Sequence, residues 1–506
     1  MSNTDIFVAS AGSGKTTRLM NELSEVLMHT PPQRIIYTTY TKAGAQEAID
    51  RAVKQFKLDS NSFPHFRTLH SLCYRNMRKA HMMKAPDYRD FGKQTGFNIS
   101  PTIGVTNADG TPFSGFSRGD QLIALNNLQR QRMCDYEEAC DYNAGSSTES
   151  PATLKYFSET LTEYKKAMGK IDFTDMLERF LEEGQPIDVD YVFGDEAQDF
   201  TNLQWKIMDL LSIPAKKLFY AGDDKQSIYE FAGGCPQTLI GRQGNRIVLD
   251  KCYRLPSTIL DFAERVADRI TEKTPYEIEP IREGGTISEI RSLEGLPLRE
   301  GTWLLLARNR VFLEPLEKEL VSMGILFKSS GNNTFPVTML PAIRTWDRLM
   351  EGGHALASEV KVLYKDYLPA GTRIARGFKK VMKDMDNDEL LDYEALKDCY
   401  GLLCCLPWDL ALDLPPNAAA YIKKARALDS FNLADNIEVT TIHSTKGREA
   451  DNVVVVPDMT GSTWRSFERR PDSEHRTFYV AATRARENLY LMQAYTDKAY
   501  TFPTLK

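Results

Sequence analysis

Gly12, Gly14, Lys15 and Thr16 fall together in Ile6-Phe-Val-Ala-Ser-Ala-Gly-Ser-Gly-Lys-Thr-Thr17, a combination able to hold a chain of phosphates. Small residues let backbone N–H groups close on an anion, and a helix starting near Lys15 adds the positive end of its dipole. The Lys15 ammonium can reach terminal phosphates, and the Thr16 hydroxyl suits a Mg²⁺ ion. The expected nucleotide cradle is the whole run Ala9, Ser10, Ala11, Gly12, Ser13, Gly14, Lys15, Thr16 and Thr17. The usual pattern is G-x-x-x-x-G-K-[ST]; here Ala9, the smallest substitute, stands for the first glycine. Two further stretches could complete such a site. Tyr191-Val-Phe-Gly-Asp195-Glu196 reads as a buried strand ending in two carboxylates. Asp195 is placed to hold Mg²⁺ through its water shell, and Glu196 to orient or deprotonate an attacking water. Lys217-Leu-Phe-Tyr-Ala-Gly-Asp-Asp-Lys-Gln226 is another buried strand with a polar end. Gln226 can sense a γ-phosphate there, and Tyr229 and Phe231 follow as base-stacking faces.

These groups need a scaffold of parallel strands. The loop is flanked by the strand at Ile6 and by a helical pattern from Thr17 to Met28, and Arg34 to Thr39 reads as the next strand. Strand–loop–helix–strand at this spacing opens an α/β parallel sheet. Residues 94–150 are loop-rich, then helical from about Gln121 to Tyr142. Thr153 to Met168 is amphipathic, and Asp172 is a plausible N-cap for the next helix. The sheet pattern resumes at Tyr191, so this helical block reads as inserted. A second sheet starts near Arg246, continues at Thr302-Trp-Leu-Leu-Leu-Ala307, and returns at Ile437–Ile442, Asn452–Pro457 and Leu489–Met492, around another helical insert. The expected organisation is a first sheet domain in two parts, 1–80 and 171–245, interrupted by a helical insert at 81–170. A second sheet domain, 246–330 and 432–506, is interrupted by an insert at 331–431.

With 42% hydrophobic and 26% charged residues, a chain of 506 has ample core for several domains. No run approaches the roughly 18 apolar residues of a membrane span, and the N-terminus leaves no room for a signal peptide. The eight scattered cysteines form no zinc-type array and fit reduced thiols. A net charge of −6 argues against coating nucleic acid wholesale but leaves room for a local groove. From Arg51 to Lys93 there are ten Lys/Arg against three Asp, interleaved with Phe56, Phe63, Phe66, Tyr74, Tyr88 and Phe91. That composition suits a single-strand groove or, equally, a solvated face over core aromatics. The clusters at 373–383 and 423–426 read as solvated rather than duplex-binding.

The order of these motifs resembles the UvrD/Rep family of superfamily 1 helicases from Ile6 to about Met492. Ala9–Thr16, Asp195-Glu-Ala-Gln-Asp199 and Gly222-Asp-Asp-Lys-Gln-Ser-Ile-Tyr229 are similar to its nucleotide and coupling motifs. Thr39–Ala45 and Thr68-Leu-His-Ser71 look like its early DNA-contacting motifs. Tyr253-Arg254, Thr441-Ile-His-Ser-Thr-Lys-Gly447 and Tyr479-Val-Ala-Ala-Thr-Arg-Ala485 complete the set.

The resemblance implies an α/β fold of two RecA-like parallel-sheet domains, each carrying a mostly helical insert, with ATP and Mg²⁺ between them. It implies catalysis by Lys15, Glu196, Gln226, Arg254 and Arg484, the two arginines acting as fingers on the γ-phosphate. Thr16 and Asp195 would hold the metal. Tyr253 would stack on the base, Gly447 would lie against the nucleotide, and Glu449 would accept from the ribose. DNA would be gripped by Tyr40, Lys42, His70, Tyr229, Phe231, Arg308 and His443. The implied activity is ATP-driven 3′→5′ translocation on single-stranded DNA and unwinding, in replication, repair or recombination. The alternatives are a translocase that strips proteins with little unwinding, or a nucleotide-switched adaptor. Partners would be single strands, junctions and single-strand binding or recombination proteins, in the cytoplasm of a bacterial or phage-infected cell, with no membrane. Three departures stand out. Only eight residues precede Ala9, too few for the family's adenine-reading glutamine segment, so weak base selectivity is expected. Ala232 replaces a common arginine, and the 331–430 insert is short. The chain ends soon after Arg484, without the nuclease domain of some relatives.

Overall fold

The computed structural model describes residues 3–39, 42–57, 59–77, 80–100, 117–142, 149–329, 338–428 and 436–505. Its contacts divide the chain into two compact units. The first comprises Met1–Ser292, Gly301–Leu313 and Thr440–Lys506; the second comprises Leu293–Glu300 and Glu314–Val439.

The first unit carries two parallel sheets. In spatial order the strands of the first are Phe66–Arg67, Ile35–Thr39, Tyr191–Asp195, Lys217–Gly222, Asn3–Ala9 and Asn245–Leu249. The central strands are buried along nearly their whole length, which is why their sequences read as unbroken apolar runs rather than as alternation. Phe193 and Phe219 stack across adjacent strands with ring centroids 4.6 Å apart. Asn245–Leu249 pairs in parallel with Asn3–Ala9, so the chain leaves the first sheet after Leu249, not at Arg246. Apolar alternation marks a strand but carries no information about which sheet it joins. Lys251–Pro256 then pairs with Glu279–Arg282. In the second sheet Thr286–Ile290, Ala485–Met492, Ala450–Val456 and Trp303–Ala307 lie side by side, all parallel. Its core packs Phe262, Phe478 and Tyr479 of two helices against Leu304, Val453 and Leu489.

The helical block differs in detail from the sequence reading. The run expected from Gln121 to Tyr142 is two helices, Arg118–Arg132 and Tyr136–Tyr142, parted where Met133 turns left-handed (φ 55°). Asp172 does cap the helix Phe173–Glu183, accepting from the Asp175 N–H at 2.7 Å. Phe63, Phe66 and Phe91 are buried core residues, so the 51–93 segment is not a continuous aromatic groove; Tyr74 is exposed. Its Arg78 and Lys79 lie outside the described residues.

In the second unit, Trp346, Tyr364, Ile374 and Leu402 belong to one apolar core. A short antiparallel pair, Ala355–Leu356 with Leu390–Leu391, sits where the sequence showed no strand signal, because two residues are too few for any periodicity. The 423–426 cluster is satisfied internally. Lys423 pairs with Asp409 at 2.5 Å, Lys424 donates to the Ser322 carbonyl, and Arg426 pairs with Asp347. All eight cysteines are free, and among the described residues no helix is long and apolar enough to cross a membrane.

Candidate functional site

The strand Asn3–Ala9 delivers the small-residue loop to the sheet's edge, and Gly14 turns left-handed to start the helix Lys15–Leu27. A cavity of about 210 Å³ opens there. It is lined by the loop, by Glu196 and Gln226, and by Arg254, Lys446, Gly447 and Arg484. Ala9 and Ala11 are buried beneath it and Thr17 reaches it. The loop is seated directly on the Lys251–Pro256 strand. The Tyr253 N–H donates to the Gly12 carbonyl at 3.0 Å and the Cys252 thiol to that of Ala11 at 3.2 Å. Gly12 has φ 74°, and a Cβ on it would stand 2.3 Å from Arg254 Cβ. Both backbone strain and this close approach exclude a side chain. Gly12→Ala is therefore expected to cost about 1–3 kcal/mol through strain alone. A lowered melting temperature with weakened nucleotide binding, measured on one preparation, checks this.

The Thr16 hydroxyl lies 3.1 Å from Asp195 Oδ2, which also accepts from the Tyr37 hydroxyl at 3.0 Å. Two hard oxygen donors beside a phosphate cradle fit Mg²⁺, which takes few protein ligands and completes its shell with phosphates and water. Among the described residues no group of three or more His, Cys, Asp or Glu converges into an all-protein metal site. Burial and the neighbouring Glu196 charge push Asp195 up to about 6, a cost a divalent cation would relieve. Glu196 is itself left-handed (φ 52°), which swings it out of line with the strand and into the cavity. Burial opposes its ionisation, but the Lys15 and Lys446 ammonium groups outweigh that and hold it down to about 2. Gln198 Nε2 donates to it at 2.5 Å, fixing its carboxylate.

Gln226 is gripped from two sides. Its amide N–H donates to Asp223 at 2.6 Å, and its carbonyl accepts from Arg484 Nη2 at 3.0 Å. Burial, together with the like charge of Arg254, pushes Arg484 down to about 10. Tyr253 stands 59% exposed beside the loop, leaving a face open for stacking. The Glu449 carboxylate forms an ion pair with Arg254, with Arg486 a further 3.8 Å contact.

Two cavity residues escaped the sequence reading as site groups. Arg51 reaches the cavity from the helix Lys42–Phe56, and nothing in its periodic, polar surroundings marks it. Lys446 donates to the Asp199 carboxylate and to the main-chain carbonyl of Gln226 at 2.8 Å, and sits 5.2 Å above the Tyr229 ring. Its place beside Gly447 was the signal that could have found it.

The residues expected to grip DNA are not all brought together. Tyr40, and the side chain of Lys42, lie outside the described residues. Tyr229 and Phe231 are half-buried, their rings 6.1 Å apart on one turn. Two expectations are corrected. Arg308 is 4% exposed and held at 2.6 and 2.8 Å by both oxygens of Glu474, a buried ion pair rather than a surface cation. His443 is 3% exposed and edge-on to Phe231, and burial followed by Arg308 and Lys446 pushes it well below the ordinary histidine range. It supports the ring from behind. His70 is partly buried against Phe173, which is 66% exposed and was not singled out from the sequence.

Residues 2–245 match the model of the UvrD/REP helicase N-terminal domain, and residues 419–496 that of the UvrD-like helicase C-terminal domain. The chain is 24% identical over 382 residues to the ATP-dependent DNA helicase PcrA of Staphylococcus aureus, covering 68% of this chain and 50% of that protein. It is 26% identical over 300 residues to the PcrA of Leuconostoc citreum, covering 54% and 38%. A probable DNA helicase II homolog of Mycoplasma pneumoniae is 22% identical, with 97% and 82% covered. The chain thus spans about half or less of the PcrA proteins it matches. With both domain models matched in order, and the loop, carboxylate pair, glutamine and arginines facing one cavity, the chain belongs to the UvrD/Rep family of superfamily 1 helicases.

Proposed function

We propose that this chain is a DNA-stimulated ATPase that translocates on single-stranded DNA, 3′→5′, and separates strands at junctions. It would act in DNA replication, repair or recombination in the cytoplasm of a bacterial or phage-infected cell. The observation that carries the reading is the convergence of Lys15, Glu196, Gln226, Arg254 and Arg484 on one cavity. In this reading Lys15 and the loop N–H groups bind the phosphates of ATP, and Thr16 and Asp195 hold Mg²⁺, which neutralises phosphate charge when bound. Glu196, ionised and fixed by Gln198, orients the attacking water and takes its proton. Arg254 and Arg484 neutralise the charge that grows on the γ-phosphoryl group. Arg254 exchanges its Glu449 partner for phosphate, which frees Glu449 for the ribose.

Purified protein should hydrolyse ATP faster with single-stranded DNA present and unwind a 3′-tailed duplex in preference to a 5′-tailed one. No DNA stimulation would reject the reading. Stimulation without unwinding of either duplex would leave a translocase that displaces proteins.

Tyr229 and Phe231 supply the base-stacking faces. Tyr229→Ala and Phe231→Ala are each expected to weaken single-strand binding by about 1–3 kcal/mol. DNA affinity and melting temperature on the same preparations check this, because rings that only pack would lower the melting temperature instead.

A further inference from the structure

Arg476 is a fully buried charge that the proposed chemistry does not use. It lies on the helix Pro471–Ala482, is 0% exposed, and donates to three segments at once. Nε reaches the Asp224 carbonyl at 3.0 Å, Nη1 the Glu230 carboxylate at 2.8 Å, and Nη2 the Glu272 carbonyl at 2.7 Å. Glu230 is 7% exposed and also accepts from the Tyr142 hydroxyl at 2.8 Å. The Tyr142 ring is capped in turn by Arg470, 3.6 Å from its centroid, and by Arg132 at 4.1 Å. Only a planar guanidinium can satisfy three acceptors in this fashion.

The placement of the pair is what matters. Glu230 lies between Tyr229 and Phe231 on a single tight turn, so whatever holds its carboxylate sets the position of both rings. Arg476 lies on the helix that runs directly into Arg484, whose guanidinium holds Gln226 at 3.0 Å. A buried ion pair adds little to net stability, because desolvation offsets its attraction, but it does fix geometry.

We propose that Arg476 and Glu230 are positioning residues that couple the nucleotide site to the single-strand site. The Arg476–Glu230 pair forces the finger at Arg484 and the rings at Tyr229 and Phe231 to move as one body. This rests on the function proposed above. Coupling of this kind is reciprocal: ATP must change DNA affinity by the same factor by which DNA changes ATP affinity.

The test measures that factor directly. A fluorescent oligothymidylate is titrated with and without the non-hydrolysable analogue AMP-PNP, and AMP-PNP is titrated with and without the oligonucleotide. The unaltered chain is expected to show a factor of about 10 or more, within the range usual for linked sites. The double variant Glu230→Gln, Arg476→Met leaves no orphan charge, and its factor, a ratio of affinities with and without the other ligand, is expected to fall to about 3 or less. A double variant that keeps the full factor, with or without a lowered melting temperature, overturns the proposal: the pair is then a structural joint only. Should the double variant fail to fold, Arg476→Lys keeps the charge but cannot span three acceptors, and the same loss is expected; a retained factor overturns the proposal. An unaltered chain that binds both ligands with no mutual effect also overturns it. An unaltered chain that binds neither overturns the underlying function, and the proposal with it.

Discussion

Arg484→Ala should slow DNA-stimulated ATP hydrolysis by about 10³-fold or more while weakening ATP binding far less, and Arg254→Ala should behave likewise. The asymmetry follows from where charge develops. Negative charge accumulates on the transferring phosphoryl group in the transition state, so a cation there stabilises that state more than the bound substrate. Arg484 is suited to this because it is buried, already oriented by Gln226, and set close enough to Arg254 for their like charges to lower its affinity for its proton. Two guanidinium groups that repel one another gain from an anion between them. Single-turnover rates and equilibrium nucleotide binding, measured on the same variant, separate the two effects. Equal losses in both would make the arginines ground-state contacts.

Glu196→Gln is expected to retain ATP and single-strand binding but turn over about 10²–10⁴-fold more slowly, the range set by loss of a general base. The substitution keeps size and hydrogen bonding, so Gln198 can still engage the side chain, and only the charge is removed. That charge is available in the cavity, since Lys15 and Lys446 keep the half-buried carboxylate ionised. Steady-state hydrolysis beside nucleotide titration checks the prediction, and a near-normal rate would mean that another group positions the water.

The site's chemistry was legible in the sequence because it depends on short contiguous runs. The small-residue loop from Gly12 to Thr16, the Asp195–Glu196 pair at a strand end and Gln226 after the next strand each declare themselves by residue type at fixed spacing. The parallel sheets were legible for a related reason: strands buried on both faces must be apolar throughout. Charge pairing and burial were not legible, since both are settled by residues far apart in the chain. Arg308 and His443 look like surface contacts until Glu474, 166 residues away, encloses the first and Phe231 covers the second. Arg51 reads as one of ten dispersed cations, yet the tertiary fold alone carries it to the cavity. The Asn245–Leu249 strand shows the same limit, because strand character is local whereas the choice of neighbour is made by the whole sheet. Residue type thus determined the family and the kind of site this protein carries. Only long-range packing decided which charges face the cavity, which support the rings, and which are neutralised inside the core.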